Sequence, residues 1–263
     1  MAPTDRFEST EAYYARYRPG YGDPAIQYLV DRFALDADAR VLDLGCGAGQ
    51  LTVPLAAHAG EVVGMDPNEA MLAHARDRAT EAGVDNVEWV VGSDTDLREG
   101  ADVGPLRLTT IGRAFHWMDG RATVDYLQER TESDGGVAIL SDEEWLTHGR
   151  DDWQAIVHAV ADAYVDDQPE REHPDDIEYE DPWDELLSER GLVDVTSERF
   201  PTAREWTVDE IVGYCLSLSF CSPAVLGDDR EAFETDLRAR LAEAGDEPFV
   251  QHVEIEVLSG RVP

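Results

Sequence analysis

The stretch VLDLGCGAGQ, Val41 to Gln50, sets an apolar run directly before three glycines at alternate positions, Gly45, Gly47 and Gly49. A strand that ends in bare residues and leads into a helix lets a ligand lie against main-chain amides at the helix N-terminus. The spacing is GxGxG, whereas a dinucleotide fingerprint counted from Gly45 needs a glycine where Gln50 stands. The bend therefore suits a nucleoside with an amino-acid tail better than a pyrophosphate.

Outward from this bend, short apolar runs alternate with longer helical stretches over residues 41–140, the pattern of an α/β fold with a mostly parallel sheet. Strands are expected at Val41–Leu44, Glu61–Met65, Val87–Val91, Leu106–Ile111 and Val137–Leu140, the last after an Asp134-Gly135-Gly136 turn. A helix over Gln50–His58 carries Pro54 as a blemish, and a second helix opens at Pro67 and Asn68 with Met71, Leu72, Ala75, Ala79 and Ala82 on its apolar face. Beyond Ser141 come helices near Trp153–Val165, Trp183–Arg190, Val208–Leu218 and Arg230–Ala244, with strands near Val193–Phe200 and Val250–Leu258. The acidic, proline-punctuated Asp166–Pro182 is expected as a loop or mobile cap.

Five motifs in order resemble the class I S-adenosylmethionine (SAM) dependent methyltransferases, in the type 11 branch acting on small molecules. These are YARYRPGY (Tyr14–Tyr21), VLDLGCGAGQ, VVGMDPNEAML (Val62–Leu72), VEWVVGSDTDL (Val87–Leu97) and GRAFHWMD (Gly112–Asp119). The resemblance implies a doubly wound, mostly parallel seven-stranded sheet with an antiparallel C-terminal strand, helices on both faces and a helical cap. It also implies a single domain over 1–263: an N-terminal lid at 1–35, a cofactor-binding core at 36–140, a cap or insert at 141–190 and a C-terminal part at 191–263.

For the site, the resemblance places SAM against Gly45, Cys46, Gly47 and Gly49, with Asp66 accepting from both ribose hydroxyls and Pro67 touching the adenine. Either Ser93 or Asp94 meets the adenine amine. Arg113 and Ala114 are also placed with the cofactor. Asp43 either orients the glycine loop or meets the methionine ammonium, with loop amides as competing partners. Arg18 is placed to bind the SAM carboxylate bidentately, against the competing role of a surface ion pair, with Tyr17 beside it. His116 is the candidate catalytic base, while Tyr14, Phe115 and Trp117 are candidate substrate-binding residues, against a purely structural packing role. The lid and residues 141–182 are expected to close over the strand ends. Two alternatives stay open: a SAM-binding regulatory protein without turnover, and a nicotinamide-dependent oxidoreductase.

Composition narrows the partners. The 263 residues hold 57 Asp plus Glu against 21 Lys plus Arg, a formal net charge of -36, and every one of those cations is arginine. Nucleic acid and anionic membranes need clustered cations, so neither is an expected partner, and a small-molecule substrate is. Such self-repulsion is screened at molar salt, which points to a halophilic cytoplasm. The 3 cysteines, Cys46, Cys215 and Cys221, form no CxxC pair, and neither a disulfide framework nor a metal site is expected. No signal peptide or membrane span is read in the chain.

Overall fold

The computed structural model describes residues 9–101, 103–142, 146–147, 151–165 and 182–263. The loop expected over Asp166–Pro182, with His173, lies outside them except for Pro182. Seven strands form one sheet: β1 (Arg40–Leu44), β2 (Glu61–Asp66), β3 (Val87–Val91), β4 (Leu106–Gly112), β5 (Thr131–Asp142), β6 (Val193–Trp206) and β7 (Phe249–Arg261). Their order is β3-β2-β1-β4-β5-β7-β6. β1 pairs in parallel with β2 and β4, β2 with β3, and β4 with β5, whereas β7 runs antiparallel to β5. This is the doubly wound sheet expected, and its order reverses between β1 and β4, where ligands of such folds sit beyond the carboxyl ends of the strands.

The helices are α1 (Glu11–Tyr17), α2 (Asp23–Arg32), α3 (Thr52–Ala56), α4 (Glu69–Ala82), α5 (Asp94–Arg98), α6 (Gly120–Arg130), α7 (Asp152–Tyr164), α8 (Trp183–Glu189), α9 (Val208–Leu216), α10 (Pro223–Leu226) and α11 (Arg230–Ala244). α3 begins at Thr52, two residues later than expected, and the reason is Pro54. A late start puts the proline in the first turn, where its missing N–H has no intrahelical partner to lose. α4 is well defined at both ends: the Asn68 side chain accepts from the amides of Ala70 and Met71, and Gly83 closes the helix at φ +68°.

β5 is longer than expected, because the Asp134-Gly135-Gly136 turn is absorbed into it. Pairing with β4 slips from Leu106–Thr131 to Leu108–Gly136, and the surplus residues form a bulge in which Asp134 takes φ +67°. β6 and β7 also outrun their expected ranges, to Trp206 and Arg261.

The chain divides into two compact units. Of the described residues, one unit holds 20–142 (without 102), 182–200 and 255–263. Its sheet carries an apolar cluster on each face. Leu29 of α2, Phe33 at its C-terminal end and Leu55 of α3 join Val41, Val62, Leu108 and Leu140 on one face. Val124 and Leu127 of α6 and Leu186 and Leu187 of α8 join Leu42, Leu44, Val63, Met65 and Ile111 on the other.

The second unit holds 9–19, 146–147, 151–165 and 201–254 of the described residues, with α1, α7, α9, α10 and α11 around Trp153, Val157, Val160, Ile211, Cys215, Phe233, Leu237 and Leu241. Here α1 meets α9 at Gly213, where an added Cβ would lie 2.4 Å from the Tyr17 ring. Among the described residues no single helix is long and apolar enough to cross a membrane.

Candidate functional site

At the carboxyl end of β1 the chain reverses through Gly45, Gly47 and Gly49, all at positive φ (+75°, +53° and +77°), a conformation that disfavours any side chain. Gly45 has a second reason to be bare: a Cβ there would lie 2.6 Å from the methyl of Ala114, which follows β4. The bend is tied to β2, since Gly45 N and Cys46 N both donate to Met65 O, at 2.8 and 3.0 Å. Arg78 of α4 fixes its far side, with Nε donating to Ala48 O at 2.9 Å.

Asp66 closes β2 beside this bend. Its Oδ2 accepts from Gly47 N and its Oδ1 from Asn68 N, both at 2.8 Å. Burial raises its pKa, and the two amides oppose that rise. Each carboxylate oxygen still has a lone pair to offer a hydroxyl donor.

Asp43 is more deeply placed, only 1% exposed, on the α3 side of β1. Its carboxylate accepts from two hydroxyls, Thr52 Oγ1 at 2.5 Å and Thr110 Oγ1 at 3.0 Å, and from the backbone amide of Thr52. Desolvation is the largest influence and pushes its pKa up to about 6. Cys46 lies nearby, and burial together with Asp43 and Asp66 pushes its thiol well up, so it stays protonated and unreactive.

Beyond β4, GRAFHWMD folds into a short 3₁₀ turn, Phe115–Trp117. Phe115 is buried edge-on against Trp183 at 5.2 Å, an anchor that leaves His116 and Trp117 on the surface, with Trp117 40% exposed and the two rings 4.8 Å apart. Partial desolvation lowers the His116 pKa, which keeps the imidazole neutral at pH 7.

Arg113 sits at φ +54°, ion-pairs through Nε with Asp142 and lies over the Tyr21 ring at 4.6 Å. Its guanidinium is thus directed to the end of β5, while Ala114 alone of that pair touches the glycine bend. After β3, Ser93 caps α5 in a capping box with Asp96, and Asp94 ion-pairs with Arg98 at 3.0 Å. Both adenine candidates are therefore engaged in helix-end contacts.

Tyr14, Tyr17 and Arg18 belong to the second unit. Arg18 Nε donates to Ser217 Oγ at 2.8 Å and Nη1 to Tyr214 Oη at 3.2 Å, and its guanidinium lies against the rings of Tyr14 and Tyr214. Tyr17 packs on Gly213. Thr52, Thr110 and Arg78 carry parts of the bend that no motif flagged. A cavity of about 380 Å³, lined by residues of α8 and β6 that include Asp184 and Thr196, contains none of the candidate site residues.

A family model described as a methyltransferase domain matches residues 41–133, the segment that carries the bend, Asp66 and His116. Those residues form a SAM-dependent methyltransferase domain.

This methyltransferase is 24% identical over 255 residues to a Dictyostelium discoideum protein named as a methyltransferase, a match covering 94% of this chain and 90% of that protein. A 23S rRNA (uracil-C5)-methyltransferase of Alkalilimnicola ehrlichii is 42% identical over 72 residues, but the match spans 27% of this chain and only 16% of that protein. Among solved structures, a SAM-dependent methyltransferase from Thiobacillus denitrificans in complex with S-adenosyl-L-homocysteine aligns with TM-score 0.58 at 18% identity, covering 100% of both chains. A type II methyltransferase from Anaeromyxobacter dehalogenans aligns with TM-score 0.60 at 20% identity, over 94% of this chain and 98% of that one. At those identities the likeness is one of fold.

The residues present fit the cofactor that the family uses. The three glycines leave bare main chain, Asp66 offers acceptors, and Gln50 Nε2 at the exit of the bend is a buried donor without a partner among the described residues.

Proposed function

We propose that this methyltransferase transfers the methyl group of SAM to a small-molecule acceptor, with Asp66 holding the ribose hydroxyls and His116 receiving the acceptor's proton. The observation that carries the reading is the pairing of a bare, Asp66-braced bend at β1 with a neutral, solvent-reachable imidazole beyond β4. When bound, the cofactor supplies an electrophilic methyl on a sulfonium whose departure as a thioether needs no acid. The protein's task is then alignment, exclusion of water and, for a hydroxyl or ammonium acceptor, removal of one proton. A net charge of -36 opposes phosphate-rich acceptors and supports a small molecule over the rRNA named for one partial relative. Gln50, standing where a dinucleotide fingerprint has glycine, supports SAM over a nicotinamide cofactor.

Calorimetric titration of the full chain with SAM and NAD, followed by methyl transfer from labelled SAM to a metabolite panel, tests the reading. Asp66→Ala is expected to weaken SAM about tenfold or more, through loss of acceptors for two hydroxyls. His116→Ala is expected to leave SAM affinity within about twofold while lowering turnover by roughly 10²-fold or more. Binding of NAD in preference to SAM, or full turnover by the His116 variant, would remove the respective assignment.

A further inference from the structure

Resting on that reading, we propose that the side-chain amide of Gln50 is a hydrogen-bond donor to the carboxylate of the cofactor's amino-acid tail. Gln50 is 7% exposed, and its Nε2 is buried with no partner among the described residues. A buried amide left in that state costs about 1–3 kcal/mol, so a native chain keeps one where something else completes it. Asn86 in the same unit shows the contrast, since its Nδ2 donates to Ala56 O and Ala59 O, both at 2.9 Å.

The place and the sign of the group select the ligand atom. Gln50 directly follows Gly49, between the bend and the start of α3 at Thr52. Asp43 and Asp66, the carboxylates flanking the bend, are acceptors and suit hydroxyl or ammonium donors. They would repel the tail carboxylate, which needs N–H or O–H groups. Within Gly45–Gln50 the side-chain donors are the Cys46 thiol, directed to Gly47 O at 3.9 Å, and the Gln50 amide. Arg18, the residue the sequence offers for the same carboxylate, spends Nε and Nη1 on Ser217 and Tyr214 in the second unit. Gln50 therefore supplies what the acidic surroundings of the bend lack.

The test compares S-adenosylhomocysteine, which has the tail, with 5′-methylthioadenosine, which lacks it, by calorimetric titration of the full-length wild type, Gln50→Leu and Gln50→Glu. Loss of a hydrogen bond to a charged group predicts that Gln50→Leu binds the tailed compound about tenfold or more weakly and the tailless one within about twofold of wild type. Gln50→Glu keeps the shape and reverses the polarity; it is expected to weaken the tailed compound further, and it decides the matter if the leucine variant does not fold. Unchanged affinity for the tailed compound overturns the assignment. So does an equal loss for both compounds, which would put the donor on the nucleoside. Tighter binding by Gln50→Glu also overturns it, since the partner would then be the ammonium. Failure of the wild type to bind either compound instead refutes the methyltransferase reading on which the assignment stands.

Discussion

Asp43→Asn exchanges a buried acid for a neutral side chain of the same shape, and its effect on stability depends on pH in a direction that the surroundings of Asp43 fix. The group is 1% exposed, and burial pushes its pKa from 3.8 to about 6 in spite of the donors Thr52 and Thr110. In the unfolded chain it titrates near its ordinary value. Between about pH 4 and pH 6 the native state therefore holds a proton that the unfolded state has lost, and stability falls as pH rises through that window. Two pH units at about 1.4 kcal/mol each give a penalty on the order of 3 kcal/mol, fully present above pH 6, with about half of it developing above pH 5. Asparagine carries no such penalty, and the two hydroxyls can turn to accept from its amide. Urea unfolding followed by tryptophan fluorescence at constant ionic strength, from pH 5 to 7.5, measures wild type and variant side by side. The stability of the asparagine variant relative to wild type is expected to rise by about 1–1.5 kcal/mol across that range. A flat difference, or one that falls with pH, would refute the buried-acid account and with it the claim that hydroxyls rather than a cation balance Asp43.

Two further outcomes follow from packing and charge. Gly213→Ala drives a methyl into the Tyr17 ring, 2.4 Å from the added carbon, and is expected to destabilise by about 1–3 kcal/mol. Tyr17→Ala in that background is expected to recover part of the loss, so a double-mutant cycle of melting curves with no coupling would contradict the α1–α9 contact. Raising KCl from about 0.1 M to molar levels shortens the Debye length from about 10 Å to about 3 Å, and screening of a net charge of -36 is expected to raise the unfolding midpoint. A midpoint that does not move with KCl would dispose of the halophilic reading.

The parallel core was legible because a strand buried on both faces reads as a contiguous apolar run, as Val41–Leu44 does; Val87–Val91, an edge strand that is only partly buried, was legible from its β-branched and aromatic residues. Lengths were not. The extra residues of β5 hide behind a turn signature that the sheet absorbs as a bulge, and the exposed stretch of β6 around Ser197–Arg199 lacks apolar periodicity. α5, with Leu97 as its buried residue, escapes periodicity for want of a face, while α1 was overshadowed by the motif that overlaps its second half.

In the site, the glycines and Asp66 were legible since their spacing is local. The partners of Asp43 were not: Thr110 is 67 residues away in the chain, and nothing in either segment announces the pairing before β1 and β4 lie side by side. Arg78, 30 residues from Ala48, escaped for the same reason. Either Ser93 or Asp94 is the expected adenine contact; a serine three residues before Asp96 is also a helix-capping signature, and Ser93 caps α5.

The second unit is drawn from separated stretches of chain, with α1 near one end and the 201–254 stretch near the other. The sheet likewise waits for residues 255–263, since β7 is the antiparallel neighbour of β5. Neither body can close before residues 201–263 have been made, so the flank of β5 that β7 covers stays unpaired until then. The self-repulsion of a net charge of -36 acts on such incomplete copies as well as on the folded protein, and so opposes their association through the uncovered strand.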